Sequence, residues 1–156
     1  MIVNLLENIM DDVERLKSEA GIAACDFIKD GMKLGLGTGS TVHYTVIEIG
    51  RRISDEGLNV VGVPTSEATR KLAEKVGIPL ITLAESGGLD LIIDGADEFD
   101  DNFSLIKGGG GALTREKIVA QSSKSMVVVA DDRKQVSVFG AFDLPVEVLP
   151  FEWERT

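Results

Sequence analysis

The sequence is short of the residues that build metal centres and covalent cross-links. It has one cysteine (Cys25) and one histidine (His43) in 156 residues. A single cysteine excludes an intrachain disulfide and a cysteine cluster. A single histidine argues against a transition-metal site and against Ser-His-Asp chemistry. Aromatics make up only 5%, so the core is expected to come from Val, Ile, Leu and Ala, the composition of an α/β protein. No apolar run approaches a membrane span, and the N-terminus lacks a basic-then-apolar signal pattern. The expectation is a soluble, cytoplasmic protein that binds no membrane. Positive charge is also scarce: 16 Lys and Arg face 26 Asp and Glu, a net charge of −10. Such a field does not draw in nucleic acid. An anionic ligand would need a local cluster of lysines and backbone amides to overcome it.

What is present is an alternation of helices and strands. Leu5, Ile9, Val13, Leu16, Ala20, Ala24, Phe27 and Ile28 recur at helical spacing and predict a long amphipathic first helix ending before Asp30. Residues 33–36 read as a short strand and 40–52 as a helix with Ser40 as its N-cap. A strand over 59–63 follows, then a helix capped by Thr65 and Ser66 and closed by Gly77. Strands are predicted at 80–83 and 89–93, a helix at 113–122, and a strand buried on both faces at 125–130. Weaker, edge-like strands are predicted at 136–139 and 146–149, broken by Pro145. This order implies a Rossmann-like, mostly parallel sheet with helices on both faces.

Four motifs carry chemistry. Gly35-Leu-Gly37-Thr-Gly39-Ser40-Thr41 lies between a strand and a helix, where α/β sheets bind ligands. Its helix-start amides, with the Ser40 and Thr41 hydroxyls, suit an anion. It is not a Walker loop, because no Lys-Ser/Thr follows the last glycine. The plain alternative is a well-capped tight turn. Asp94-Gly95-Ala96-Asp97-Glu98 follows the apolar run 89–93. Its acids could hold hydroxyls, a cation or magnesium, or could form only an Asx-turn. Lys107 precedes four glycines, Gly108 to Gly111, a run that favours close backbone approach to a ligand over a linker. Glu116 shares a helical arc with Leu113, Val119 and Ala120. It should face packed structure, which tunes a carboxylate toward a neutral-pH base; the helix dipole would also favour an acid there. Lys134 follows the strand at 125–130 and fits a phosphate or a solvated loop. Lys17 reads as surface. Cys25, His43 and Tyr44 read as structural.

In order, GLGTGST, PTSEAT, DGADE, KGGGGALTREKIVA, DDRKQV and LPVEVLP resemble the ribose-5-phosphate isomerase A family, from about Lys17 to Pro150. The resemblance implies a cofactor-free and metal-free isomerisation between ribose 5-phosphate and ribulose 5-phosphate. It implies Glu116 as the base acting between C1 and C2. Asp94 would assist ring opening, and Lys107 would stabilise the enediolate oxygen. Asp97, with Gly95, Ala96 and the amides of Gly108, Gly109 and Gly110, would hold sugar hydroxyls. Thr38, Gly39, Ser40 and Thr41 would bind sugar or phosphate oxygens. Lys134 would bind substrate and Lys17 would reach the phosphate. A homo-oligomer, dimer or tetramer, is also implied.

Members of that family continue into a smaller α+β domain and then return to the first domain's sheet. Residues 1–150 are therefore expected to form an incomplete catalytic domain. Residues 151–156 would be the start of the second domain or a non-native tail. The sheet is expected to be left with an apolar edge covered by a partner chain. A sugar-phosphate sensor or an inactive fragment of the same fold is the alternative; Glu116 and Lys107 argue against the sensor.

Overall fold

The computed structural model describes residues 2–155, with side chains described from Asp12 onward. Leu5 and Ile9, expected on the apolar face of the first helix, lie outside the described side chains. Helix α1 (Ile2–Ala23) ends in a 3-10 turn, Ala24–Phe27. Strand β1 (Lys33–Leu36) leads into α2 (Ser40–Glu56), and β2 (Val61–Pro64) leads into α3 (Glu67–Lys75). A one-turn helix, α4 (Leu83–Ser86), precedes β3 (Leu91–Gly95). A small antiparallel hairpin follows, β4 (Glu98–Phe99) with β5 (Leu105–Ile106), then α5 (Leu113–Gln121) and β6 (Met126–Val129).

Among the described residues the main sheet has the order β2-β1-β3-β6, and all its pairs are parallel. The chain moves from β1 outward to β2, then crosses back over β1 to lay down β3 on its other side. The carboxyl ends of β1 and β3 therefore form the topological switch point, where the loops diverge and leave a crevice. Helices α2 and α3, with the 3-10 turn after α1, cover one face through a core of Cys25, Val42, Val46, Ile49, Ala73, Leu34, Leu36, Leu91 and Ile93, and α1 packs on α2. Helices α4 and α5 lie on the other face, over Val63, Leu89, Ile92 and Val119. Gly35 lets α5 come close: a Cβ there would sit 2.8 Å from both Ile92 and Val119.

Several expectations are corrected. The run 80–83 is not a strand. Thr82 and Glu85 form a reciprocal capping box that starts α4, the local T-x-x-E signal overriding a short apolar run. Strand β6 is not buried on both faces. It is an edge strand paired only with β3, and Val128 is exposed. Residues 136–139 and 146–149 form no strand; Val138, Val146 and Leu149 are exposed and have no strand beside them to pair with, apart from an isolated bridge at Gln135 to Phe99. Ser40 is not the N-cap of α2 but its first residue. The cap is Gly39, at φ 143°, a conformation that favours glycine. His43 is exposed on α2, its ring edge-on to Tyr44, whereas Cys25 is fully buried. The β4–β5 hairpin was not foreseen, because two-residue strands are too short to show a period.

Candidate active site

The carboxyl ends of β1, β3 and β6 open into a cleft of about 270 Å³. Most of the candidate residues border it: Lys17 from α1, Thr38 to Thr41 from the β1–α2 loop, Gly95, Ala96 and Asp97 after β3, Lys107, Gly108 and Gly110, Glu116 from α5, and Lys134 after β6. Asp94 lies beneath the cleft with none of its surface exposed. Gly109 does not border the cleft. Its amide donates to Asp97 Oδ2 at 2.8 Å and so is spent inside the protein rather than offered to a ligand.

At the floor is a three-group ionic cluster. Lys107 Nζ lies 3.0 Å from Asp94 Oδ2 and 3.4 Å from Glu116 Oε2, and it also donates to the Gly95 carbonyl. Glu116 is 4% exposed, as its place on α5 beside Val119 predicts. Both carboxylate oxygens facing the lysine lack a well-aligned hydrogen bond. Burial, and secondarily the Asp94 charge, push Glu116 above the usual carboxylate range, against the pull of Lys107. A carboxyl held in that state exchanges protons near neutrality more readily than an ordinary surface acid. Asp94 is anchored from the other side: its Oδ1 accepts from the Thr38 amide at 3.0 Å and from the Gly95 amide at 2.8 Å. That approach needs Gly37, where any Cβ would overlap the Asp94 carboxylate.

The wall opposite is suited to an anion. The first-turn amides of a helix have no intrahelical partner and carry the positive end of its dipole. Gly39 makes no side-chain cap bond to those of α2. The Ser40 and Thr41 hydroxyls stand beside them, and the cations Lys17 and Lys134 border the same space. Lys17 is tied to Glu14 at 2.7 Å, and Glu14 in turn accepts from Tyr44 at 2.7 Å.

Sequence reasoning missed three contributors. Asp131 and Arg133 also border the cleft, and the Arg133 guanidinium beside Asp131 holds that buried carboxyl below its usual range. The charged run after β6 was the available signal. Glu98, noted only as part of the acidic turn, is 3% exposed and accepts from the Gly140 and Phe142 amides at 3.0 and 2.7 Å. This draws the chain beyond β6 back across the hairpin and seats Phe142 against Gly109, where a Cβ would collide with its ring. The magnesium alternative at the acidic turn loses support, since Asp94, Asp97 and Glu98 turn to different partners.

Comparison with known proteins agrees with this layout. The model of the ribose 5-phosphate isomerase A (phosphoriboisomerase A) family matches residues 61–156. The chain is 56% identical over 144 residues to ribose-5-phosphate isomerase A of Cereibacter sphaeroides strain ATCC 17025, covering 92% of this chain and 58% of that protein. It is 50% identical over 147 residues to ribose-5-phosphate isomerase A 1 of Oceanobacillus iheyensis, covering 94% of this chain and 66% of that protein. Among solved structures, ribose 5-phosphate isomerase A of Methanocaldococcus jannaschii superimposes with a TM-score of 0.76 at 46% identity, over 79% of this chain and 55% of that one. A D-ribose-5-phosphate isomerase in complex with phospho-erythronic acid superimposes with a TM-score of 0.77 at 42% identity, over 79% and 54%. The chain thus spans little more than half the length of most of these relatives. No helix among the described residues is long and apolar enough to cross a membrane. By its family match, and by the fold and motifs that agree with it, the chain belongs to the ribose 5-phosphate isomerase A family.

Proposed function

We propose that this chain carries the chemistry for which its relatives are named: interconversion of D-ribose 5-phosphate and D-ribulose 5-phosphate. The observation that supports it most is the buried Asp94–Lys107–Glu116 cluster at the floor of an anion-suited cleft. In this reading the substrate's phosphate sits at the start of α2, with Lys17 and Lys134 beside it, and the open-chain carbonyl end reaches Lys107. The Glu116 carboxylate takes the proton from C2 of the aldose. The C1–O double bond opens, a C1–C2 double bond forms, and the charge developing on the carbonyl oxygen is held by Lys107. Glu116 then returns the proton to C1, while the C2 hydroxyl gives its proton up to the C1 oxygen and becomes the ketone, leaving a hydroxyl at C1. Asp94 assists ring opening and proton movement at the sugar oxygens. The raised pKa of Glu116 suits a group that must both accept and return a proton in each cycle.

On this reading residues 1–150 form the catalytic unit, with 151–156 leading away from it, and the setting is the cytoplasm. The partner is a small sugar phosphate, and the net charge of −10 argues against nucleic acid. Assembly into a homo-oligomer is part of the proposal, supported by the exposed Val128 on edge strand β6 and the exposed Val146 and Leu149 after it; a monodisperse monomer by light scattering would remove it.

The decisive test is a coupled assay for ribulose 5-phosphate. Glu116→Gln should lower turnover by about 10²–10⁴-fold while leaving sugar-phosphate binding measurable. Unchanged turnover in that variant would sink the assignment of Glu116. Binding without turnover in the unmodified chain would favour a binding domain over an enzyme.

A further inference from the structure

Helix α5 carries Glu116 with little packing beneath it. It is nine residues long, and only Glu116 and Val119 among them are buried. A helix of that length has little stability of its own and depends on its packing and its caps. Its first intrahelical bond runs from the Glu116 amide to the Ala112 carbonyl at 2.9 Å. The amides of Leu113, Thr114 and Arg115 therefore have no partner within the helix. If that turn frays, Glu116 is released with it, and its 3.4 Å approach to Lys107 is lost.

Nothing local closes the turn. The four residues before Ala112 are glycines, which have no side chain to offer. Ala112 makes no side-chain cap bond, and its φ of −106° and ψ of 8° lie outside the extended region that a capping residue usually adopts. The partner comes from 33 positions downstream: Glu147 Oε2 accepts from the Thr114 amide at 3.2 Å and also from the Thr114 hydroxyl. Thr114 is the second residue of α5, and a carboxylate at that end lies on the favourable side of the helix dipole.

Glu147 reaches that place because the chain before it is pinned. Glu98 takes the Gly140 and Phe142 amides, and Phe142 rests against Gly109. The chain then runs from the glycine loop to the start of α5, where Leu144, Pro145, Val146 and Glu147 share a groove with Leu113 and Thr114. We propose that Glu147 is a positioning residue for Glu116: it caps, from outside the helix, the turn that holds the carboxylate against Lys107. Glu147 touches no reacting atom in this role. It borders the space beside Thr65 and Ser66, not the cleft that Lys17 and Lys134 border. This deepens the proposed function and rests on it for the role of Glu116.

The test pairs amide hydrogen exchange with kinetics on Glu147→Ala and Glu147→Gln. Glu147 is exposed, so neither variant disturbs the core. In Glu147→Ala the Glu116 amide should exchange about five- to tenfold faster, the loss expected of one cap. The Ile92 amide, bonded to the Ser125 carbonyl in the sheet, should keep its rate. For ribose 5-phosphate, kcat should fall at least about twofold while KM stays within about twofold. Gln keeps an acceptor oxygen, so Glu147→Gln should bring exchange and kcat to within about twofold of the unmodified chain. An unchanged Glu116 amide or unchanged kcat in Glu147→Ala, equal acceleration at Ile92, a loss confined to KM, or no recovery in Glu147→Gln overturns the inference. Failure of the isomerase reading looks different: the unmodified chain gives no turnover, and the exchange rates still decide the cap.

Discussion

Replacing Lys107 by methionine keeps a chain of similar length and removes one charge from the floor of the cleft. Lys107 lies 3.0 Å from Asp94 and 3.4 Å from Glu116. At an effective dielectric constant near 20, each attraction is roughly 5 kcal/mol before desolvation is set against it. The carboxylates are 0% and 4% exposed, so water cannot take over from the lysine. Breaking such a cluster from one side typically costs about 3–5 kcal/mol. The cost must depend on pH, and its sign follows from linkage. Glu116 is already pushed up by burial and by Asp94, with Lys107 pulling the other way. Without the lysine it moves further up, and the folded variant holds a proton that the unfolded chain releases. Wherever the folded state binds more protons than the unfolded, stability falls as pH rises. Thus Lys107→Met should cost about 3–5 kcal/mol at pH 8 and less at pH 5, because the variant's Glu116 is the more protonated the lower the pH. Urea denaturation at the two pH values measures this directly. Equal loss at both, or a larger loss at pH 5, would refute the coupling of Lys107 to a buried, proton-accepting Glu116.

Two further outcomes test the frame around the site. Gly37→Ala places a methyl group into the Asp94 carboxylate. It should destabilise by about 1–3 kcal/mol and weaken turnover more than fold, read by thermal melting beside the coupled assay; full activity in that variant would show that Asp94 is not held where described. Glu48 on α2 is buried and accepts from both Arg51 and Arg52, whose hydrogen bonds pull its carboxyl down to about 2. A lowered pKa stabilises above the unfolded value and is lost as pH falls toward the folded one. Glu48→Gln should therefore cost on the order of 2–3 kcal/mol at pH 7 and little at pH 2, and a denaturation difference that does not shrink between pH 5 and 2 would contradict it.

The frame of the fold was legible where pattern and punctuation agreed. Lys33–Leu36 matches β1 at both ends, and α3 is fixed by Ser66 and Gly77 because capping is a local property. Glu116 was legible for the same reason: helical spacing alone places it with Val119, and both are buried. What escaped was decided between elements. Whether residues 125–130 form a central or an edge strand depends on how many strands lie beyond them, which composition does not state. Asp94 reads in sequence as a ligand-facing acid, yet its burial comes from Gly37 on a neighbouring strand end. The tie between Gly109 and Asp97 joins residues twelve apart across a hairpin too short to announce itself.

The contact of Phe142 with Gly109, secured by Glu98, bears on the order in which the site matures. Strand β6, the last strand described, ends at Val129, and Glu116 and Lys107 have both been laid down before it. The glycine cradle, however, is clamped by a residue thirteen positions further on. During synthesis the ionic floor can form while the glycine loop beside it still lacks its Phe142 contact.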